Sequence, residues 1–147
     1  MTRTFKGRPV LAGTCSGEAL VSHGGFNTLA SFQKDLILHK KVAACSDQNN
    51  ADLYKKVMTG KVLCLPQTIG STTGGLIMMS AAAAGAQPKA MLFANPIDSL
   101  AAAGVILSDI WVGVHITVVD SLGADFLAAV KTGETVNVAE DGTVTIE

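Results

Sequence analysis

The residues best suited to chemistry crowd into one short segment, Pro66-Gln67-Thr68-Ile69-Gly70-Ser71-Thr72-Thr73-Gly74-Gly75. Consecutive hydroxyls at Ser71, Thr72 and Thr73 are bracketed by Gly70 and Gly74-Gly75. Glycines let the backbone bend tightly and let a ligand approach closely. A buried strand precedes the segment and a helix follows it, so the hydroxyls fall on a strand-to-helix turn. The first N–H groups of a helix are unpaired and carry a partial positive charge. A carboxylate or phosphate can sit there, and the same field lowers the cost of an alkoxide on Ser71. The spacing equally suits a hydroxyl that merely caps the helix. A P-loop is excluded because no Lys follows the glycines, and the glycine spacing does not match a dinucleotide fingerprint.

The elements that must hold this turn can be read around it. Lys61-Val62-Leu63-Cys64-Leu65-Pro66 is an apolar run ended by Pro, a buried strand. Gln67–Thr73 is expected as loop and Gly74–Ala86 as a helix rich in Ala and Met. Ala90–Ala94 is the next strand. Asn95-Pro96 suits the cap and first position of a helix running to about Leu107. His115–Val119 gives a third strand and Leu122–Lys131 a short helix. Alternating apolar strands and helices imply parallel pairing with helices covering the sheet. Before this zone, Arg8–Gly13 and Gly17–Ser22 are short apolar runs that suit strands. His23-Gly24-Gly25-Phe26-Asn27-Thr28 reads as a loop, as does Cys45–Asn50. After it, Thr135–Val138 and Thr143–Ile146 alternate in period two around Asp141-Gly142, a β-hairpin. The expected fold is therefore α/β: one domain over residues 1–147, a mixed sheet with covering helices and a C-terminal hairpin, in the manner of a swivelling β/β/α domain.

Composition narrows the partners. The chain has 147 residues, 48% hydrophobic and only 16% charged, with a formal net charge of −1. That is too apolar for disorder and too weakly charged to suit a fully solvated surface, which points to a covering partner. The lack of a basic excess and the single Trp and Tyr argue against nucleic acid. Met1–Lys6 lacks the apolar stretch of a signal peptide. The run Leu76–Ala86 is too short to span a bilayer. A cytoplasmic protein with no membrane contact is expected. Cys15, Cys45 and Cys64 are widely spaced with no CxxC pair. They read as reduced thiols, and no metal site is expected from this chain alone.

Taken in order, Gly17–Ser22, Gly60–Pro66, Gly70–Gly75 and Gly85–Ala90 resemble the small-subunit, swivelling domain of aconitase X, over nearly the whole chain. The resemblance implies a small subunit of a two-subunit hydro-lyase, with Ser71 as the catalytic base. It also implies an iron or iron–sulfur centre held by the large subunit. Its substrates are small hydroxy acids, cis-3-hydroxy-L-proline or mevalonate 5-phosphate. The family often carries Ser-Phe-x-Gly-Gly-Val-Asp after the second strand, and this chain has His23–Thr28 there. The family's His-Pro-Leu before the Gly-Lys-Val strand appears here as Asn50-Ala51-Asp52-Leu53-Tyr54. The first departure favours hydroxyproline over phosphomevalonate as the expected substrate.

Dehydration of a 3-hydroxy acid needs a base for the Cα proton, assistance to the departing hydroxide, and a seat for the carboxylate. Ser71 offers the first. Gly70, Thr72, Thr73 and Gly74 offer part of the third, and His23 and Asn27 are further candidate substrate contacts. His23 reads equally as a loop histidine. Asp47–Asn50 reads as a turn or as a polar lip over the substrate. His39 suits a solvated position, His115 a structural one, and Met78 and Met79 packing. Two other classes compete with this reading. A non-catalytic swivelling or regulatory module remains compatible, although a phosphohistidine carrier would need a His on the glycine-rich turn. A stand-alone hydrolase would need supporting triad motifs that are absent.

Overall fold

A computed structural model describes residues 2–147. Ten strands and four α-helices follow one another: β1 (Arg3–Lys6), β2 (Arg8–Leu11), β3 (Cys15–Val21), β4 (Phe26–Asn27), α1 (Thr28–Ile37), β5 (Val62–Leu65), β6 (Thr68–Ile69), α2 (Gly74–Ala84), β7 (Ala90–Phe93), α3 (Ser99–Leu107), β8 (Thr117–Asp120), α4 (Ala124–Ala129), β9 (Thr135–Val138) and β10 (Thr143–Ile146). Eight strands form one mixed sheet in the order β1-β10-β9-β3-β5-β7-β8-β2. The central four, β3, β5, β7 and β8, run parallel. The remaining pairings are antiparallel. The two outermost strands, β1 and β2, are separated in sequence by Gly7 alone, so the sheet curls until it nearly closes. The expected mixed sheet with covering helices and a terminal hairpin is what forms.

The two innermost parallel strands, β5 and β7, are apolar and buried at every position because both faces are covered. Register sorts their side chains into two cores. Leu20, Leu63, Met91 and Val118 align across the four strands and pack with Phe26, Phe32, Met78 and Val105 under α1, α2 and α3. One residue on, Val21, Cys64, Leu92 and Val119 face the other way. There they meet Phe126 of α4 and Val136, Val138, Val144 and Ile146 of the hairpin. A one-residue slip in any central strand would exchange the two sets.

Several elements differ from expectation, among them β1 and β4, which lie where no strand is expected. Residues after the glycine loop form α1, capped by Asn27, whose side chain accepts from the Ala30 N–H at 3.0 Å. α3 begins at Ser99, not after Asn95-Pro96, because Asp98 takes the cap: its carboxylate accepts from the Ala101 N–H at 3.0 Å. α3 then widens into a π-helical turn over Ser108–Val112. The Gln67–Thr73 loop also contains β6, which pairs parallel with β4.

Candidate active-site turn

Open α/β sheets bind ligands beyond the carboxyl ends of their parallel strands. Here the crossovers leaving β3, β5 and β7 gather at that end. The Phe26 N–H donates to the Gln67 carbonyl at 2.9 Å, tying the first crossover to the second. Beneath the turn, Gly70 has φ +97°, a conformation that favours glycine. Space demands glycine as well, since a Cβ there would lie 2.5 Å from Asn27 Nδ2. Asn27 is thus half-buried under the turn and caps α1 with its oxygen.

Ser71, Thr72 and Thr73 are all exposed. Ser71 Oγ accepts from the Thr73 N–H at 3.2 Å and lies 2.8 Å from Thr73 Oγ1. The Gly74 N–H donates to the Ser71 carbonyl at 3.1 Å. Ser71 therefore shapes the first turn of α2 and stays open to solvent, so capping and reactivity do not exclude each other here. Thr73 makes no side-chain cap bond, and no acidic residue lies in the first turn of α2. An anion arriving at this end would meet N–H groups with no carboxylate in the helix's own first turn.

Ser71 stands at the mouth of a cleft of about 180 Å³ walled by Thr28, Ile69, Gly70, Asp98 and Leu100. Asp98 is its one ionisable wall residue. That carboxylate is already engaged, accepting from Thr68 Oγ1 as well as from Ala101 N–H. It ties the strand before Ser71 to the start of α3. Sequence reasoning missed this residue, although Asp98 three positions before Ala101 is an ordinary cap signal. The helices behind the turn meet at two glycines. A Cβ on Gly75 would lie 2.7 Å from the Leu100 carbonyl oxygen, and one on Gly104 would lie 2.8 Å from Gly75 Cα.

His23 does not line this cleft. Its backbone N–H donates to Asp52 Oδ2 at 2.7 Å, and its Nδ1 lies 3.1 Å from the same oxygen. The His23 N–H holds the Asp52 carboxyl below its usual range, against the opposing effect of burial and with added help from the His23 ring and Lys56. A second, adjoining cleft of about 360 Å³ is walled by Gly24, Gly25, Asp47, Asn50 and Ile69. Asp47–Asn50 is a turn: Asp47 accepts from the Asn49 N–H at 2.9 Å, and Asn50 Nδ2 donates to Ser22 Oγ at 3.0 Å. Ile69 is the wall common to both clefts. His39 ends α1 with φ +56°. His115 is exposed and lies 3.1 Å from Asp109.

The cysteines do not fit an iron–sulfur site. Cys45 is packed in the core under α1–α3, Cys64 in the opposite core, and Cys15 at the edge of the latter. Burial pushes the Cys64 thiol far above its usual range, away from the thiolate a metal needs. No group of three or more His, Cys, Asp or Glu is placed to hold a metal among the described residues. No helix among them is long and apolar enough to cross a membrane.

Fold and turn together define a swivel-type α/β domain that presents a serine from a strand-to-helix crossover. Residues 4–146 match the family model described as the aconitase X swivel domain, and the chain belongs to that family. It is similar to the phosphomevalonate dehydratase small subunit of Methanosarcina mazei, 30% identical over 90% of this chain and 82% of the relative. The protein of the same name from Thermococcus kodakarensis is 28% identical over 97% and 95%. The crystal structure of Thermococcus kodakaraensis aconitase X in its holo form superposes with a TM-score of 0.82 at 27% identity, covering 99% of this chain and 98% of the other.

Proposed function

We propose that this chain is the small subunit of a heteromeric dehydratase and supplies Ser71 as the base that removes the Cα proton of a small hydroxy acid. One observation carries the reading: the Ser71 hydroxyl is exposed at the cleft mouth, held by Thr73, on a helix start with no acidic residue in its first turn. A free serine is a weak base, so its alkoxide needs stabilisation. The Thr73 N–H and hydroxyl and the field of α2 supply part of it. The proton moves to Ser71 Oγ, the Cα–H electron pair becomes the new double bond, and hydroxide leaves from the neighbouring carbon. Hydroxide departure and a cationic seat need groups this cleft lacks, since Asp98 is its only ionisable wall. Both, with the iron or iron–sulfur centre, are assigned to a large partner subunit.

The names of the relatives favour mevalonate 5-phosphate as substrate. A second reading, cis-3-hydroxy-L-proline, rests on the altered His23–Thr28 loop, which borders the adjoining cleft at Gly24 and Gly25. The test is to assay the chain alone and co-purified with its large subunit against both acids. The expected result is no turnover alone and dehydration of one acid by the complex. Equal turnover by the isolated chain, or none by the complex, would sink the reading.

A further inference from the structure

A surface helix normally shows water a polar face. α1 does so with Gln33 and Lys34. α2 and α3 do not. Their sequences, GGLIMMSAAAA and SLAAAGVIL, contain no charged residue at all. Because the two helices meet closely at Gly75 and Gly104, their outer faces lie side by side. That joint face exposes Leu76, Leu100 and Ile106, and the π-helical turn at its far end holds out Ile110 and Trp111, 70% and 75% exposed. The π-turn is firmly built: buried Ser108 donates to the Gly104 carbonyl at 2.7 Å, and the Val114 N–H donates to the Ser108 carbonyl at 2.9 Å. The exposure of Trp111 therefore belongs to an ordered turn. At its near end the same face runs into the Ser71 cleft, whose wall includes Leu100.

We propose that this face, from Leu76 and Leu100 to Ile110 and Trp111, is where the large subunit docks, with Trp111 as the outer anchor. The inference rests on the dehydratase-subunit reading and extends it to a surface. Continuity identifies the occupant. A partner that completes the Ser71 cleft covers its wall at Leu100, and exposed apolar side chains continue from there through Ile106 to Ile110 and Trp111, with the part-exposed Asp109–His115 pair beside Ile110. Buried aromatic anchors carry much of the energy of such interfaces, and depletion of charge marks their centres.

The experiment measures the affinity of the purified large subunit for three small-subunit variants. Trp111→Ser combined with Ile110→Asn should weaken association about thirtyfold or more, while the melting temperature of the isolated chain stays near wild type because both side chains are exposed. Lys34→Glu on α1 should leave affinity unchanged. Ser71→Ala should also bind normally, which separates docking from catalysis. Wild-type affinity in the Trp111/Ile110 variant would overturn the proposal, as would weakening by Lys34→Glu alone. So would finding that the isolated chain is a dimer which those changes split without affecting the complex, since the face would then cover a second copy. A complex that assembles through this face yet dehydrates neither acid would sink the enzymatic reading and leave the interface standing.

Discussion

The two crossovers that meet at the carboxyl end of the sheet are built alike and finished differently. Between β3 and α1, polar groups find partners within the chain. His23 N–H and ring reach Asp52, Ser22 Oγ donates to the Gly24 carbonyl at 2.7 Å, Asn50 donates to Ser22, and Asn27 caps α1. Between β5 and α2, the serine and threonine hydroxyls stay exposed and the helix has no side-chain cap from Thr73. The helices repeat the contrast: α1 carries charge toward water, α2 and α3 carry none. One crossover is complete as folded. The other leaves its helix start, its hydroxyls and its apolar face available, which is what a site finished by a second chain requires.

Five variants can break or sharpen this contrast with Ser71 left in place. The largest effect should come from Gly104→Ala. Its methyl would press on the Gly75 backbone, and overpacking of this kind costs about 1–3 kcal/mol. Urea unfolding of the isolated chain checks this, and an unchanged midpoint would mean that the α2–α3 crossing can yield. Next, Asp98→Ala removes the α3 cap and the tie to Thr68. It should cost about 0.5–2 kcal/mol and lower kcat in the complex. Asp98→Asn should restore stability, since Asn caps well. Equal kcat in Asp98→Ala and wild type would free the turn from this support.

Smaller effects belong to the closed crossover. The Asp52 carboxyl is held low in the folded state by the His23 N–H. Its contribution to stability is therefore present above the unfolded value, about 3.9, and is lost as pH falls through the folded value. Asp52→Asn should cost about 0.5–1 kcal/mol near neutral pH, with the gap to wild type closing in acid. A gap that widens on acidification would reverse the assignment. Finally, His23→Ala should cost less than about 1 kcal/mol, as for other exposed pairs, and leave turnover of the complex nearly unchanged. A large fall in kcat/KM would bring His23 into the substrate site.

Much of this was legible in the residues. The apolar runs at Val62–Leu65 and Ala90–Phe93 and the alternation at Thr135–Ile146 give strands because burial on two faces or one leaves those patterns. The Ser71 turn is legible because hydroxyls and glycines rarely crowd together without a conformational reason. α1 was hidden for a physical cause: its buried side includes Thr28, Ser31 and Asp35 beside Phe32, which breaks the apolar stripe. Asp35 is tolerated there because it accepts from the Ala44 N–H at 2.8 Å, a bond made only after folding. Its end at His39, a non-glycine residue at φ +56°, gives no stop signal. The Thr68–Asp98 tie spans thirty residues of sequence and appears only when β6 and α3 come together.

The central claim is that Ser71 takes the Cα proton, and isotope exchange tests it most directly. The complex carrying Ser71→Ala, incubated with substrate in deuterated solvent, should assemble and melt nearly as wild type, since losing a cap-like hydroxyl costs about 0.5–2 kcal/mol. Cα exchange and turnover should both fall by roughly 10²–10⁴-fold. Exchange at the wild-type rate would contradict the account: Ser71 would then be a helix cap, and the base would lie on the partner.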